Sequence, residues 1–390
     1  MPRPTCLIAF ARLAVITRAG RSSASLPELR LDSGWNLAFA FTMRIALDVM
    51  GGDHGCGVII EGVKLALRAN SRIAEIHLVG DQREIKSAME RSRLNDPRAH
   101  IVHASEVLTM EDKPLVAVRK KKDSSLVRAV DLVKTGKADA MISTGNTGAL
   151  VTAATLALRR LEGIERPAIA TIVPSQKSEF VLIDAGANQD CKPIHLAQFA
   201  IMGSIYSREI LGHKKPRVGI LSNGSEEFKG TELTQEALKL CRELDLNFIG
   251  YVEGTDMFSD RVEVVVTDGF VGNLVLKACE GLGKCIARML KHELSANPVR
   301  QFGAALAAGG FITFKKRMNP DAYGGAPILG LNNTVIKAHG SAREEAIMNA
   351  IRVATETVRT HLNQLIRDDV CRANERLTAA PNNAVAHALA

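Results

Sequence analysis

From Met43 onward the chain alternates short β-branched or aliphatic runs with helix-length amphipathic segments, and no other feature constrains the fold as strongly. The runs are RIALDVM, EIHLVGD, AHIVHAS, ADAMISTGN, AIATIVPS, FVLIDAG, RVGILSN, FIGYVEG and EVVVTDG. Strands alternating with helices predict a mainly parallel sheet covered by helices, a three-layer α/β/α sandwich. The apolar content fits, because it is mostly aliphatic: 46% of residues are hydrophobic but only 4% aromatic. Buried parallel strands take such residues on both faces. Several runs close on Asp, Gly, Asn or Ser, so a ligand site is expected beyond the carboxyl ends of the strands.

Scarce aromatics also argue against a single-stranded nucleic-acid partner, which would need stacking platforms in a basic groove. The net charge of +8 then suits an acidic protein, an anionic membrane surface or small anions, or serves solubility alone. Seven cysteines form no CxxC pair and have no His at zinc-ligand spacing, which reads as reduced cytosolic thiols with no metal. No apolar run reaches the roughly 20 residues of a bilayer span.

Residues 1–42 are Arg-rich and acid-poor, faintly like a transit or signal peptide, and are expected to be a disordered extension or an upstream-start artefact. Residues 43–369 read as a single domain, since no linker divides them. Within it, 293–320 places small and apolar residues beside Lys315, Lys316 and Arg317. That pattern suits a helical hairpin for dimer or membrane contact, and equally a core hairpin with a solvated basic end. Residues 370–390 are expected to form a flexible tail.

Three kinds of strand end carry candidate chemistry. In ALDVMGGDHG, Gly52, Asp53 and His54 follow the first strand in a turn whose backbone can approach a ligand; neither G-x-G-x-x-G nor a Walker A sequence is present. In STGNTG, Ser143, Gly145, Asn146, Thr147 and Gly148 open an Ala- and Leu-rich helix. Asn146 or Thr147 can cap that helix, and the free N–H groups of its first turn suit an anion such as orthophosphate, or the turn is simply capped. The third kind gathers polar side chains: Asp184, Asn188, Asp190 and Lys192; then Asn223, Glu227 and Lys229; then Asp268, Gly269, Gly272 and Asn273. Asn223 and Asp190 read best as caps or Asx turns. The basic run RKKKDSS offers Arg119 or Lys121 to a phosphate, or is a solvated loop. No G-x-S-x-G, HExxH or acyl-enzyme Cys motif supports a covalent intermediate.

These motifs, in the order MRIALDVMGGDHG, DKPLVAVRKKKDSSLVRAVDLVKTGKADAMISTGNTGAL, GIERPAIATIVPS, VLIDAGANQDCKPIHLAQFAIMGSIYSREILG, NGSEEFKGTELTQEA, VVVTDGFVGNLVLK and YGGAPILGLNNTVIKAHGS, resemble the bacterial phosphate acyltransferases of the PlsX family over about residues 43–365. The resemblance implies a Rossmann-like fold similar to phosphate acetyltransferases and isopropylmalate dehydrogenases. It also implies a homodimer and transfer of a fatty acyl group from acyl carrier protein to inorganic phosphate. The acyl phosphate would feed a membrane-bound glycerol-3-phosphate acyltransferase in phosphatidic acid synthesis. No cofactor is implied, and the place of action would be cytoplasmic, peripherally at the inner face of the membrane.

By the same resemblance Lys229 and Asn273 match catalytic positions, as oxyanion stabiliser and as donor to the thioester or its leaving sulfur. His54 becomes a candidate proton donor to the leaving thiolate. The phosphate side would comprise Gly52, Asp53, Ser143, Gly145, Asn146, Thr147, Gly148, Asp268 and Gly269, with Asp184, Asn188 and Lys192 either among them or supporting them from behind. Lys284, Arg288 and Lys291 are candidates for carrier-protein docking, or form a solvated helix face. The competing readings are a coenzyme A-dependent phosphate acyltransferase, a dehydrogenase of the isopropylmalate type and a membrane-associated scaffold.

Overall fold

The computed structural model describes residues 42–319 and 322–388. The extension before Met43 therefore lies outside the described residues. The first half of the chain forms β1 (Met43–Asp48), α1 (Gly55–Ala69), β2 (Ile73–Gly80), α2 (Gln82–Ser92), β3 (Ala99–His103), α3 (Pro114–Lys120), α4 (Ser125–Lys134), β4 (Ala140–Ser143) and α5 (Thr147–Leu158). The second forms β5 (Ala168–Pro174), β6 (Glu179–Ile183), α6 (Pro193–Ile210), β7 (Val218–Leu221), α7 (Glu232–Arg242), β8 (Phe248–Val252) and β9 (Val264–Val266). Three successive helices follow, α8 (Gly269–Ser295), α9 (Pro298–Leu306) and α10 (Ala308–Arg317). The chain then returns through β10 (Ala326–Leu329), β11 (Thr334–Lys337), α11 (Glu344–Arg359) and α12 (Leu362–Ala388).

Among the described residues all strands join one eleven-stranded sheet in the order β3-β2-β1-β4-β11-β10-β5-β6-β9-β7-β8. Successive residues along the strands serve opposite faces, as the period of two requires. Ile45 and Leu47 pack with α1 and α11, whereas Ala46 between them packs with α4 and α5. In the second half Val181 and Ile183 meet α6, α7 and α12, while Leu182 faces Val275 and Leu276 of α8. Helices thus cover both faces, and the three-layer α/β/α expectation holds.

The pairing corrects one detail of the strand-end expectation. β10 is antiparallel to both β11 and β5, and β5 is antiparallel to β6. With β11, β4 and β1 mutually parallel, and β6, β9 and β7 likewise, the two parallel sets run in opposite directions. Their carboxyl ends cannot share one edge of a flat sheet. One element links them: α8, which starts at the end of β9 and reaches the first set's turns at Glu280, 3.9 Å from His339.

Beyond Glu280, α8 leaves the body. Together with α9 and α10 it forms a helical arm whose side chains are mostly exposed, including Leu282, Ile286, Met289, Val299, Phe302, Leu306 and Ile312. Arg317 Nη2 ties the end of the arm back to the Ser175 carbonyl at 3.1 Å. None of the described helices is long and apolar enough to cross a membrane. The segment from 370 onward, expected as a flexible tail, continues α12, and Val370 and Ala373 are buried against α6 and its neighbours.

Candidate active site

Three turns meet at the carboxyl ends of β1, β4 and β11. The backbone of Gly51 approaches that of Gly145 so closely that a Cβ on Gly51 would stand 2.6 Å from Gly145 N and Cα, so only glycine fits. Asp53 N–H donates to the Gly340 carbonyl at 2.9 Å, bringing the KAHGS turn against the GGDHG turn. Asp48, 2% exposed, anchors the arrangement: its Oδ2 accepts the Ser143 hydroxyl at 2.7 Å and its Oδ1 accepts Met50 N–H at 3.2 Å. Ser143 Oγ in turn accepts Gly145 N–H at 3.0 Å. Burial pushes the Asp48 carboxyl pKa up, and hydrogen bonds from Ser143 and Ser125 oppose the rise.

Lys337, at the end of β11, donates from Nζ to the Thr144 carbonyl at 3.1 Å and to the Ala338 carbonyl. Burial pushes its ammonium pKa down to about 8, while the charges of Asp48 and Asp53 hold it up. His339 Nδ1 accepts Ser341 N–H at 3.2 Å and lies 2.8 Å from Ser341 Oγ. A neutral His339 therefore carries its proton on Nε2, the side facing Glu280.

The second cluster sits at the ends of β6, β9 and β7. Asp184 is fully buried and accepts from the backbone N–H groups of Ile169, Gly186, Ala187 and Asn188 and from the Asn188 amide. Burial raises its carboxyl pKa and those donors oppose the rise. A Cβ on Gly272 would come within 1.9 Å of the Asp184 carbonyl oxygen, so α8 docks on this turn only because residue 272 is glycine. Asn273, one residue on, is exposed beside Gly186, and its carboxamide makes no hydrogen bond among the described residues. Lys229 lies in the loop after the neighbouring β7, its Nζ 5.5 Å from the Phe228 ring centroid and in no ion pair among the described residues.

This geometry redistributes the residues named from sequence. Asn146 caps α5, accepting Ala149 N–H at 3.0 Å, and ties the Met110 carbonyl at 3.1 Å; Thr147 is the first residue of that helix. Ser143 is committed to Asp48. Asp184 and Asn188 are spent on each other and on backbone, leaving no carboxylate oxygen for a phosphate. Asp268 caps α8 through Phe270 and Val271 N–H, and buried Gly269 donates to the Asn188 carbonyl. Asn223 accepts Gly230 N–H, a turn role as expected, and Glu227 pairs with Arg242. Lys121 is held by Asp112, while Arg119 is exposed. Gly52, Asp53, His54 and Gly148 line the first cluster's surface, and Lys192 stands at the start of α6. Lys284, Arg288 and Lys291 are exposed along α8 and, with Lys277, fall on one side at helical spacing. Sequence reasoning gave no role to Asp48, Thr144, Glu280, Lys337 or His339. The polar ends of ALD and VIKAHGS were the available signal.

Burial holds several thiols away from the thiolate form. Burial pushes Cys191 and Cys241 up to about 12 and Cys56 up to about 11. No cluster among the described residues has the composition of a metal site.

A family profile described as "Fatty acid synthesis protein" matches residues 43–365. The chain belongs to the phosphate acyltransferase (PlsX) family. It is 46% identical over 336 residues to the phosphate acyltransferase of Akkermansia muciniphila, covering 85% of this chain and 96% of that protein. It is 46% identical over 329 residues to that of Brevibacillus brevis, covering 84% and 97%. A member of this family is an acyltransferase, and the resemblance drawn from the seven motifs holds. In fold the chain is similar to a phosphotransacetylase from Streptococcus pyogenes, with a TM-score of 0.56 at 19% identity, covering 82% of this chain and 94% of that one. It is also similar to a branched-chain phosphotransacylase from Enterococcus faecalis, with a TM-score of 0.51 at 16% identity, covering 81% and 99%.

Proposed function

We propose that this phosphate acyltransferase family member takes a fatty acyl group from the thioester of acyl carrier protein and transfers it to inorganic phosphate. The acyl phosphate product serves phosphatidic acid synthesis. The observation that carries the reading is the layout of α8. Asn273, with a free carboxamide, stands at its base, Glu280 meets the anion-suited turns, and Lys277, Lys284, Arg288 and Lys291 continue along one side. From Asn273 to Arg288 is about 22 Å at 1.5 Å per residue. An acidic carrier seated on the cationic stripe would deliver its thioester toward the helix base.

The chemistry needs no enzyme nucleophile. Phosphate is already an anion near neutral pH, so a phosphate oxygen attacks the thioester carbonyl carbon once both are positioned. The C–O bond forms, the carbonyl oxygen becomes an oxyanion, and the C–S bond then breaks to release thiolate. Lys229 stabilises the oxyanion and Asn273 donates to the thioester or the leaving sulfur. His54, exposed at the start of α1 with its side chain capping nothing, supplies a proton to the thiolate. Phosphate sits where the GGDHG and STGNTG turns touch, at the N-terminus of α5.

The same reading includes a homodimer and contact with an anionic membrane surface, near the membrane-bound glycerol-3-phosphate acyltransferase that consumes the product. Exposed Val299, Phe302, Leu306 and Ile312 on the arm, beside Lys315, Lys316 and Arg317, support a contact of that kind. The test is phosphate-dependent consumption of palmitoyl acyl carrier protein, with hydroxylamine trapping of acyl phosphate and palmitoyl coenzyme A in parallel. Product from the carrier thioester supports the reading. Product from coenzyme A alone moves the donor, and product from neither leaves a scaffold role.

A further inference from the structure

The turn that opens α5 holds a hydroxyl with no partner among the described residues. Thr144 is 1% exposed, and its Oγ1 is buried with no hydrogen-bond partner. The residues on either side are committed, Ser143 to Asp48 and Asn146 to the helix cap. A buried hydroxyl left unpaired costs about 1–3 kcal/mol, so its persistence between two committed side chains calls for a partner from outside the protein.

Its direction says where that partner would sit. A Cβ on Gly52 would lie 3.1 Å from Thr144 Oγ1, so the hydroxyl faces the GGDHG turn, and the glycine at residue 52 lets the two turns approach this closely. Gly145 N–H is taken by Ser143, while the first-turn N–H groups of α5 begin just beyond it. Lys337 Nζ holds the Thr144 carbonyl from the opposite side and brings positive charge to a place where Asp48 and Asp53 are negative. A helix N-terminus and an unpaired buried hydroxyl thus meet at one turn, and a cation holds the backbone of the residue that carries the hydroxyl.

We propose that Thr144 is a phosphate-binding residue, its hydroxyl donating to an oxygen of the phosphate substrate, with Lys337 a positioning residue that fixes the Thr144 backbone. This rests on the phosphate-acceptor reading above but not on the identity of the acyl donor. Ser143, the neighbour with the same functional group, is excluded from the role by its bond to Asp48.

The experiment measures binding of inorganic phosphate to the full chain by calorimetry and by phosphate-induced rise in melting temperature, with no acyl donor present. Thr144→Val is nearly isosteric and removes only the hydroxyl. It should melt at or above the parent without phosphate, because it deletes an unpaired buried group, and should bind phosphate roughly 10- to 100-fold more weakly, the range for a hydrogen bond to a charged partner. Thr144→Ser keeps the donor and should bind within about threefold of the parent. In turnover, Thr144→Val should raise KM for phosphate while KM for the thioester stays put. Unchanged phosphate affinity in Thr144→Val overturns the proposal, as does a loss in Thr144→Ser equal to that in Thr144→Val, since the Ser variant keeps the donor and should keep the affinity. Absence of phosphate binding by the parent overturns it as well. If the parent binds phosphate through Thr144 but transfers no acyl group from any thioester, the proposed function fails and this assignment stands.

Discussion

The Ser143 hydroxyl donates to the buried carboxylate of Asp48 at 2.7 Å, bridging the carboxyl ends of the adjacent parallel strands β1 and β4. The same oxygen accepts Gly145 N–H, so one side chain sets both the Asp48 environment and the entry into α5. Ser143→Ala strips a partner from a buried acid and from a buried N–H at once. It should lower stability by about 1–3 kcal/mol, read from denaturant midpoints. A variant as stable as the parent would mean that this bond does not hold the turn.

Lys337 supplies a pH signature with two opposite signs. Its folded-state pKa of about 8 lies below its ordinary 10.5, so between those values the unfolded chain holds a proton that the folded chain has shed. Stability therefore rises with pH across that interval, measured against Lys337→Met, which lacks the group; below about pH 8 both states are charged and the full cost of burial applies. Over the same interval phosphate loses the nearby ammonium, so kcat/KM for phosphate should fall. Denaturation and initial-rate profiles from pH 7 to 10.5 test both, and parallel profiles for parent and Lys337→Met would remove Lys337 from the site's electrostatics.

The contrast between these residues shows what was readable in the sequence. Strand and helix alternation announced the layers, because burial on both faces forces aliphatic runs such as IALDV and leaves the polar residue at the strand end. The STGNTG turn announced a helix N-terminus for the same local reason. Partner choice was not local. Ser143, Asp184 and Asn188 looked like ligand groups until Asp48, Ile169 and Pro167, distant in sequence, proved to occupy them. Thr144 and Lys337 drew no attention because being unpaired or half-buried is a property of the packed sheet. The reversal of strand direction at β10 and β5 was equally hidden, since short strands such as APIL carry no sign of the direction in which they pair.

Asp184 separates a structural from a substrate-binding role. If it contacted phosphate, Asp184→Asn would raise KM for phosphate in an intact fold. The geometry predicts instead a loss of folding stability, because an amide nitrogen would face N–H donors in place of one carboxylate oxygen. Gly272→Ala should be at least as damaging, with its methyl 1.9 Å from the Asp184 carbonyl oxygen. Thermal melts of both variants decide it. Native-like melting with a selective rise in KM would return Asp184 to the phosphate side.

Lys229 and Asn273 present the opposite case, since neither side chain makes a hydrogen bond or ion pair among the described residues and their loss should not disturb folding. Lys229→Ala and Asn273→Ala should each reduce kcat by roughly 100- to 1,000-fold, the usual cost of one oxyanion donor, with melting temperature unchanged. Near-normal turnover in either variant would take that residue out of the transition state.

The cationic side of α8 makes the last prediction, and it concerns the donor. Lys277, Lys284, Arg288 and Lys291 are exposed and close enough along the helix to act together, so an acidic carrier should feel them as one field. Exposed charges are screened within about 8 Å at physiological ionic strength, so KM for acyl carrier protein should rise steeply with added salt. Reversing Arg288 to Glu should raise KM for the carrier severalfold at low salt, with a smaller effect on kcat, and flatten the salt dependence. Coenzyme A thioesters present far fewer acidic groups than a folded carrier and provide the control for a general effect of salt on turnover. A carrier KM indifferent both to salt and to the Arg288→Glu reversal would place carrier docking elsewhere on the molecule and leave this face of α8 as a solvated surface.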